Sequence, residues 1–184
     1  MKEIRIHGRG GQGSLVLAQF IAIAALEDGK FSQAFPFLGA GGERRGKPIQ
    51  AFARIDDRMI RLRSRVHQPD YILVQDPTIL KEVDVLDGLK QGGTVLINTE
   101  KPLPLSDKGS SIQWVEVPAS KIAQEVVGRP LMNAALLGAF SVVTKEISFP
   151  SIEKAINKRF PGEVGRQNVE IARKAYEHFR EERL

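Results

Sequence analysis

Three glycines separate an apolar strand-like segment from an apolar helix-like segment near the start of the chain. Gly8, Gly10 and Gly13 match the pattern G-x-G-x-x-G, directly after a strand predicted at residues 3–7 and before a helix predicted at 15–28. Glycine lets the backbone approach a ligand or take positive φ, and the free N–H groups of a helix start favour an anion. This unit is typical of α/β proteins. The loop is therefore either an anion-binding turn or only a tight strand-to-helix connection.

The pattern beyond the loop extends the same α/β alternation. Strands are predicted at 31–35, 71–75, 94–98 and 113–117, and helices at 79–90, 119–127, 131–144, 151–159 and 165–180. Residues 49–55 and 58–62 are predicted to form a hairpin that turns at Asp56 and Asp57. Ser14 and Ser151 are predicted helix N-caps. We expect a single domain over residues 1–184, with a three-layer α/β fold. Its mixed, mostly parallel sheet has a Rossmann-like first β-α unit and an antiparallel hairpin.

Two of the predicted helices are apolar nearly all round. They cover residues 15–26 and 132–143. A helix without a polar face is usually buried on every side. Either these helices lie deep in the core, or another chain covers one of them.

The composition excludes several kinds of chemistry. The chain has no cysteine, so it contains no disulfide, no nucleophilic thiol and no cysteine-ligated iron–sulfur cluster. Its three histidines (His7, His67 and His178) are too far apart in sequence to predict a metal site. No apolar run is long enough to cross a bilayer and no signal-peptide pattern is present, so we expect a cytoplasmic protein without membrane contact.

The charge balance is basic, with a net charge of +5. Such a balance fits nucleic acid, an anionic small ligand, an acidic protein partner or a solvated surface. Basic and aromatic residues do not interleave as they do where bases stack, so we do not expect nucleic-acid binding.

A dinucleotide site would need an acidic residue about 20 positions after the loop, at the end of the second strand. Residues 31–35 contain none, Glu27 and Asp28 come too early, and Glu43 comes late. Gln12 within the turn is unusual for an NAD loop, and no Gly-Lys-Ser/Thr follows that would make a Walker A motif.

Three blocks in the chain resemble one family. Gly8-Arg9-Gly10-Gly11-Gln12-Gly13 is similar to the G-x-G-G-Q-G motif of the gamma subunit, or equivalent fused domain, of 2-oxoacid:ferredoxin oxidoreductases. The segment Gly42-Glu43-Arg44-Arg45-Gly46-Lys47-Pro48 resembles the family's second motif, in the form closest to the pyruvate type. Residues 128–139, with Asn133, resemble its third.

The resemblance implies a multi-subunit enzyme. Such complexes decarboxylate a 2-oxoacid, here pyruvate, with coenzyme A to acetyl-CoA and CO2, and they pass electrons to ferredoxin. They use thiamine diphosphate and [4Fe-4S] clusters. Alpha, beta and delta-type subunits are the implied partners, and this chain alone is expected to hold none of the cofactors. We assign it no catalytic residue and no metal ligand.

The candidate ligand or interface residues come from these blocks. They are Gly8, Arg9, Gly10, Gly11, Gln12, Gly13, Glu43, Arg44, Arg45 and Asn133. Arg44 and Arg45 are candidates to clamp a phosphate of coenzyme A, with ion pairing to Glu43 or to a partner subunit as the alternative.

Four further assignments complete the sequence predictions. Arg9 is the next candidate for anion binding. Asp76 and Asn98 follow buried strands and are expected to be turn or cap residues. Asn133 either reaches the loop or caps its helix. Two other functions stay open, namely a stand-alone dinucleotide-binding protein and a regulatory module for small anions.

Overall fold

The computed structural model describes residues 1–37, 45–102 and 111–181. The strands in these ranges are β1 (Lys2–Arg9), β2 (Phe31–Pro36), β3 (Pro48–Asp56), β4 (Tyr71–Val74), β5 (Thr94–Asn98) and β6 (Gln113–Val117). The α-helices are α1 (Ser14–Glu27), α2 (Ala119–Val127), α3 (Met132–Thr144), α4 (Phe149–Arg159) and α5 (Glu163–Glu181), and a 3-10 helix covers Pro77–Lys81.

The strands form one sheet in the order β2-β3-β1-β4-β5-β6. β1, β4, β5 and β6 are parallel to their neighbours in that series, whereas β3 is antiparallel to both β1 and β2. The predicted α/β class with a mixed, mostly parallel sheet is confirmed.

The two faces of the sheet are covered in different ways. Ile4 and Ile6 of β1 point into a core that includes side chains from all five α-helices. The alternate residues Arg5 and His7 point to the opposite face. There, Ile72 of β4 packs in a smaller cluster with residues of the 3-10 helix and of the chain after it. The three predicted layers are present, but the second outer layer is a 3-10 helix and irregular chain.

The antiparallel partner of β3 differs from the prediction. An antiparallel hairpin is present, but it pairs β3 with β2, through the connection at 37–47, and not with residues 58–62. The prediction of a return strand at 58–62 is wrong, because side chains donate hydrogen bonds to the backbone carbonyls of this segment. Gln33 donates to the carbonyl of Ile60 and Arg54 to that of Leu62. These residues therefore lie across the face of the sheet.

The helix predicted at 79–90 is also wrong, because only the 3-10 helix Pro77–Lys81 forms. Beyond it, the buried Arg5 guanidinium donates to the carbonyl oxygens of Val85 at 2.9 Å and Asp87 at 2.5 Å. An α-helix would use such carbonyls within its own ladder. The chain here satisfies a buried arginine instead.

Neither predicted serine is the residue that caps its helix. The cap of α1 is one residue before Ser14, and the cap of α4 is three residues before Ser151. Helix α1 begins at Ser14 itself, its cap is Gly13 with φ of 74°, and the Ser14 hydroxyl donates to Gln75 instead. Helix α4 begins at Phe149, and its cap is Ser148, which accepts from the backbone N–H of Ser151. In both cases the hydroxyl of the predicted cap bonds to a different residue, Ser14 to Gln75 and Ser151 to Asp28.

The two apolar helices are buried within this chain. In α3, every residue from Ala134 to Ser141 is buried. A methyl group on Gly138 would lie 2.1 Å from the carbonyl oxygen of Ala172 in α5, so the two helices cross in direct backbone contact. Helix α1 packs between the sheet and α4. Most of their apolar surface is therefore covered within this chain, although Leu26 of α1 is 58% exposed. Within the described ranges, no helix combines the length and the hydropathy that a membrane span requires.

Candidate functional site

The glycine loop lies where the sheet changes direction. It follows β1, whose two neighbours are the antiparallel β3 and the parallel β4. Ligands of open α/β sheets bind beyond the carboxyl ends of the strands at such a switch point. The loop, the residues after β4 and the start of α1 therefore form the candidate site.

Packing and backbone conformation both require the loop glycines. A Cβ on Gly8 would lie 2.0 Å from Oε1 of Gln75 and 2.4 Å from Oγ of Ser14. Gly11 and Gly13 have φ of 94° and 74°, in the region that favours glycine. Packing and backbone conformation therefore account for Gly8, Gly11 and Gly13 without a bound ligand.

Gln12 holds the turn together from inside. Its Oε1 accepts from the backbone N–H of Arg9 at 2.8 Å, and its Nε2 donates to Asp76 at 3.3 Å. The N–H of Gly10 donates to the carbonyl of Lys47 at 2.9 Å. The N–H of Gln12 also donates, to the carbonyl of Arg9 at 2.9 Å, so the N–H groups of Arg9, Gly10 and Gln12 are all used within the chain. This explains why a glutamine stands where dinucleotide loops rarely have one.

Arg9 is engaged by its own chain. Its Nε lies 3.1 Å from Oδ2 of Asp76, and its Nη2 lies 2.6 Å from Oε1 of Glu82. The guanidinium also donates to the hydroxyl of Thr78 and to the carbonyl of Gly46. Arg9 therefore braces the loop against the 3-10 helix, and it does not present a free cation to an anion.

Asp76 is the counter-ion and cap of this arrangement. It accepts from the backbone N–H of Thr78 at 3.0 Å, as the sequence predicted for a cap. Burial raises the pKa of Asp76, but hydrogen bonds from Thr78 and Gln12 and the charge of Arg9 outweigh burial and hold that pKa below its ordinary value. A carboxylate ionised and bonded in this way is a structural anion at neutral pH.

Asn133 reaches the loop from the start of α3. Its Nδ2 donates to the carbonyl oxygens of Gln12 at 3.0 Å and Gly13 at 3.3 Å. Its Oδ1 accepts from Nε2 of Gln75 at 2.5 Å. The structure thus joins the first and third blocks and favours the loop role of Asn133 over the capping role.

Gln75 is the central residue that the sequence analysis missed. It is 1% exposed, it accepts from Ser14, and it donates to the carbonyl of Gln12 as well as to Asn133. Asn98 donates to the backbone carbonyl of Gln75 at 2.9 Å and accepts from the N–H of Ser120 at the start of α2. Asn98 is therefore structural, as expected. The signal for Gln75 was its position, as a polar residue directly after the apolar strand 71–74.

A cavity of about 290 Å³ opens beside the loop. Its lining is mostly apolar and comes from the loop, the first turn of α1 and the strands β2 and β3: Gly11, Gly13, Ser14, Leu15, Val16, Pro36, Phe37, Ile49, Gln50 and Ala51. The first N–H groups of α1 have no side-chain cap in the described structure, so they can meet an anion here.

The second block meets the loop at Arg45. Arg45 forms a β-bridge with Gly10, and its Cγ would lie 3.8 Å from a Cβ on Gly11. Glu43 and Arg44 lie outside the described residues. A larger cavity, about 550 Å³, lies at the opposite ends of α1 and α3, beside Asp28 and Lys145, and none of the predicted site residues lines it. Of the predicted site residues, Gly11 and Gly13 line the smaller cavity.

The geometry departs from a dinucleotide fold at the second strand. In the sheet, β3 stands between β1 and β2 and runs antiparallel to both, so β2 is not the parallel neighbour that carries a ribose-binding acid. The residues of β2 also include no acid. In the described part of the chain, no group of three or more His, Asp or Glu residues is arranged to hold a metal ion.

Comparison with known proteins decides the family. A family model described as "Pyruvate ferredoxin/flavodoxin oxidoreductase" matches residues 3–178. The chain belongs to this family. Its relatives in the pyruvate ferredoxin/flavodoxin oxidoreductase family include the pyruvate synthase subunit PorC of Methanocaldococcus jannaschii, 48% identical over 96% of each chain. The pyruvate/ketoisovalerate oxidoreductases common subunit gamma of Thermococcus litoralis is 45% identical, again over 96% of each chain.

A solved member of the family has the same fold. The crystal structure of the pyruvate oxidoreductase subunit PORC of Thermotoga maritima superposes with a TM-score of 0.79 at 38% identity. The match covers 96% of this chain and 95% of that one. The site described above therefore belongs to a fold that this family shares over nearly its whole length.

Proposed function

We propose that this chain is the gamma subunit of a pyruvate:ferredoxin oxidoreductase complex. The complex decarboxylates pyruvate, or a related 2-oxoacid, transfers the acyl group to coenzyme A and passes electrons to ferredoxin. Support comes from relatives named as subunits of pyruvate synthase and of pyruvate and ketoisovalerate oxidoreductases. A gamma subunit named as common to two oxidoreductases also supports a role outside 2-oxoacid selection.

Within the complex, this chain shapes the coenzyme A side of the active site. The carrying observation is the cavity at the start of α1, with Gly11 and Gly13 on one wall and Arg45 beside the loop. Coenzyme A carries phosphates, for which a helix N-terminus and guanidinium groups are suitable partners. On this proposal the ligand-facing residues are Gly8, Gly10, Gly11, Gly13 and Arg45, with Glu43 and Arg44 as further candidates from the second block, while Arg9, Gln12 and Asn133 act by holding the loop.

On this proposal, the cofactors for decarboxylation and electron transfer are held by other chains. Thiamine diphosphate supplies carbanion stabilisation when bound, and the clusters supply one-electron transfer. The 184 residues contain no cysteine, so they do not fit a cysteine-ligated cluster. We therefore assign both cofactors to alpha, beta and delta-type subunits. We take residues 1–184 as one domain, which the shared core of the sheet and all five helices supports.

Co-expression tests the proposal. The affinity-tagged chain is produced with the alpha, beta and delta-type subunits of its own organism, and the purified material is assayed for pyruvate- and coenzyme A-dependent ferredoxin reduction. We expect a stable complex whose activity is lost when this chain is omitted. A chain that purifies alone, while the other subunits reduce ferredoxin at the full rate without it, would overturn the proposal.

A further inference from the structure

A basic segment crosses the second face of the sheet, away from the glycine loop. Residues 57–69, here called the arginine strap, form neither helix nor strand. Residues 58–69 contain four arginines and no carboxylate, while the whole chain has a net charge of +5. Most of the excess positive charge of the protein is thus concentrated in one short segment.

Buried side chains hold the backbone of the arginine strap in place. Arg54, fully buried and paired with Glu3 at 2.9 Å, donates to the carbonyl oxygen of Ser64 at 2.7 Å. Gln33 of β2 donates to the carbonyl of Ile60 at 3.1 Å, and Val66 is only 2% exposed. The strap is therefore fixed to the sheet by its backbone and one apolar anchor, and this leaves its arginines to face outward.

Those arginines lack local counter-ions. Arg58, Arg61 and Arg63 are exposed, and in the described ranges none of their side chains forms an ion pair or a hydrogen bond. Arg65 stacks over the ring of Phe37 at 5.5 Å and donates to His67. Like charges this close in sequence repel one another, and a surface of opposite charge would relieve that repulsion.

Apolar side chains are exposed between the arginines. Met59 is 66% exposed and Leu62 is 44% exposed. Phe31, 43% exposed, lies on the edge strand β2 and shares a face with Gln33, which holds the strap. Arginine combined with large apolar side chains is the composition of protein–protein interface centres.

We infer that the arginine strap docks a carboxylate-rich surface of another subunit of the oxidoreductase complex, an inference that rests on the proposed function. A protein partner fits better than RNA, because the strap itself contains no Phe, Tyr or Trp on which a base could stack and exposes Met59 and Leu62 instead.

Charge reversal tests the inference in the co-expressed complex. The double variant Arg61→Glu/Arg63→Glu is compared with wild type and with Lys121→Glu/Lys158→Glu, which makes the same charge change on exposed helix positions. Circular dichroism checks that each variant chain is folded. We expect the strap variant to bind the other subunits about tenfold or more weakly, with a smaller salt dependence, and the control to bind like wild type.

The outcomes separate the inference from the proposed function. If wild type captures no subunit of the complex, both fail. If wild type and Arg61→Glu/Arg63→Glu assemble equally, or the control variant loses as much affinity, only the inference is overturned. Intact assembly with lost binding to poly(U) RNA would assign the strap to RNA and overturn it as well.

A zero-length crosslink identifies the partner surface. In Arg61→Lys, a carbodiimide joins the new amine to a carboxylate only where the two are in contact. We expect a crosslinked peptide between position 61 and an Asp or Glu of another subunit. Crosslinks from position 61 only to carboxylates of its own chain, in an intact complex, would contradict the inference.

Discussion

The side-chain amide of Asn133 lies 3.0 Å from the carbonyl oxygen of Gln12, a residue 121 positions earlier in the chain. This hydrogen bond ties the start of α3 to the glycine loop. Together with Gln75 it fixes the shape of the loop before any ligand arrives. The loop is thus a pre-organised wall, which lowers the ordering cost of binding.

Asn133→Ala removes the donor to the carbonyl oxygens of Gln12 and Gly13, and it also removes one of the two acceptors of the buried Gln75 amide. An unsatisfied buried polar group costs about 1–3 kcal/mol, so we expect a loss of that size in the free energy of unfolding, measured with urea. Asn168→Ala is the control, since the side chain of Asn168 makes an exposed hydrogen bond within α5, to the carbonyl of Val164. Equal effects of the two substitutions would contradict the bracing role.

His7 predicts a pH dependence of stability. Burial, with a contribution from Arg5, lowers the pKa of His7 from 6.5 to about 3. Between these two pKa values, His7 is therefore protonated in the unfolded chain and neutral in the folded chain. His7 therefore does not reduce the free energy of unfolding above about pH 6.5, and it reduces that free energy progressively as the pH falls toward about 3.

Unfolding experiments at a series of pH values check this expectation. Between about pH 6.5 and pH 4, the free energy of unfolding should fall less steeply in His7→Gln than in wild type. The exposed His67→Gln should keep the wild-type slope. An NMR titration that shows His7 protonating near its ordinary pKa would rule out this account.

The second block predicts a kinetic effect. Arg44→Ala/Arg45→Ala removes two positive charges from the second block, whose Arg45 forms a β-bridge with Gly10, so we expect the KM for coenzyme A to rise with little change in the KM for pyruvate. Lys158→Ala/Arg159→Ala removes two charges from the exposed end of α4 and should change neither constant. An unchanged KM for coenzyme A in an intact complex would exclude the arginines from that role.

The sequence predicted the parts of the fold that depend on local pattern. The strands at 71–75 and 94–98 contain continuous apolar runs and the strand at 113–117 contains Trp114 with two valines, and each forms within one residue of its predicted bounds. The segments predicted at 58–62 and 79–90 differ from the structure where a buried arginine of another element donates to backbone carbonyls. Arg54 does this at 62 and 64, and Arg5 does it at 85 and 87. No local pattern contains that information.

The candidate site, like the fold, was predictable from the sequence only in part. The loop and its position before a helix followed from motifs and order along the chain, whereas the sequence left loop contact and helix capping by Asn133 as equal alternatives that the structure decided. The engagement of Arg9 by Asp76 and Glu82 did not, because its partners lie 67 and 73 positions away. An arginine inside an anion-friendly loop suggests a ligand, and only the fold reveals that its charge is already paired.

The KM for coenzyme A of the complex that carries Leu15→Glu tests the central claim most directly. Leu15 lines the cavity in the first turn of α1, where glutamate suits the helix but would repel an anionic ligand. We predict that the KM for coenzyme A rises about tenfold, equivalent to about 1.4 kcal/mol. The KM for pyruvate should stay constant, and the uncharged Leu15→Gln should change either constant little. An unchanged KM for coenzyme A in an assembled Leu15→Glu complex would contradict the placement of coenzyme A against this loop.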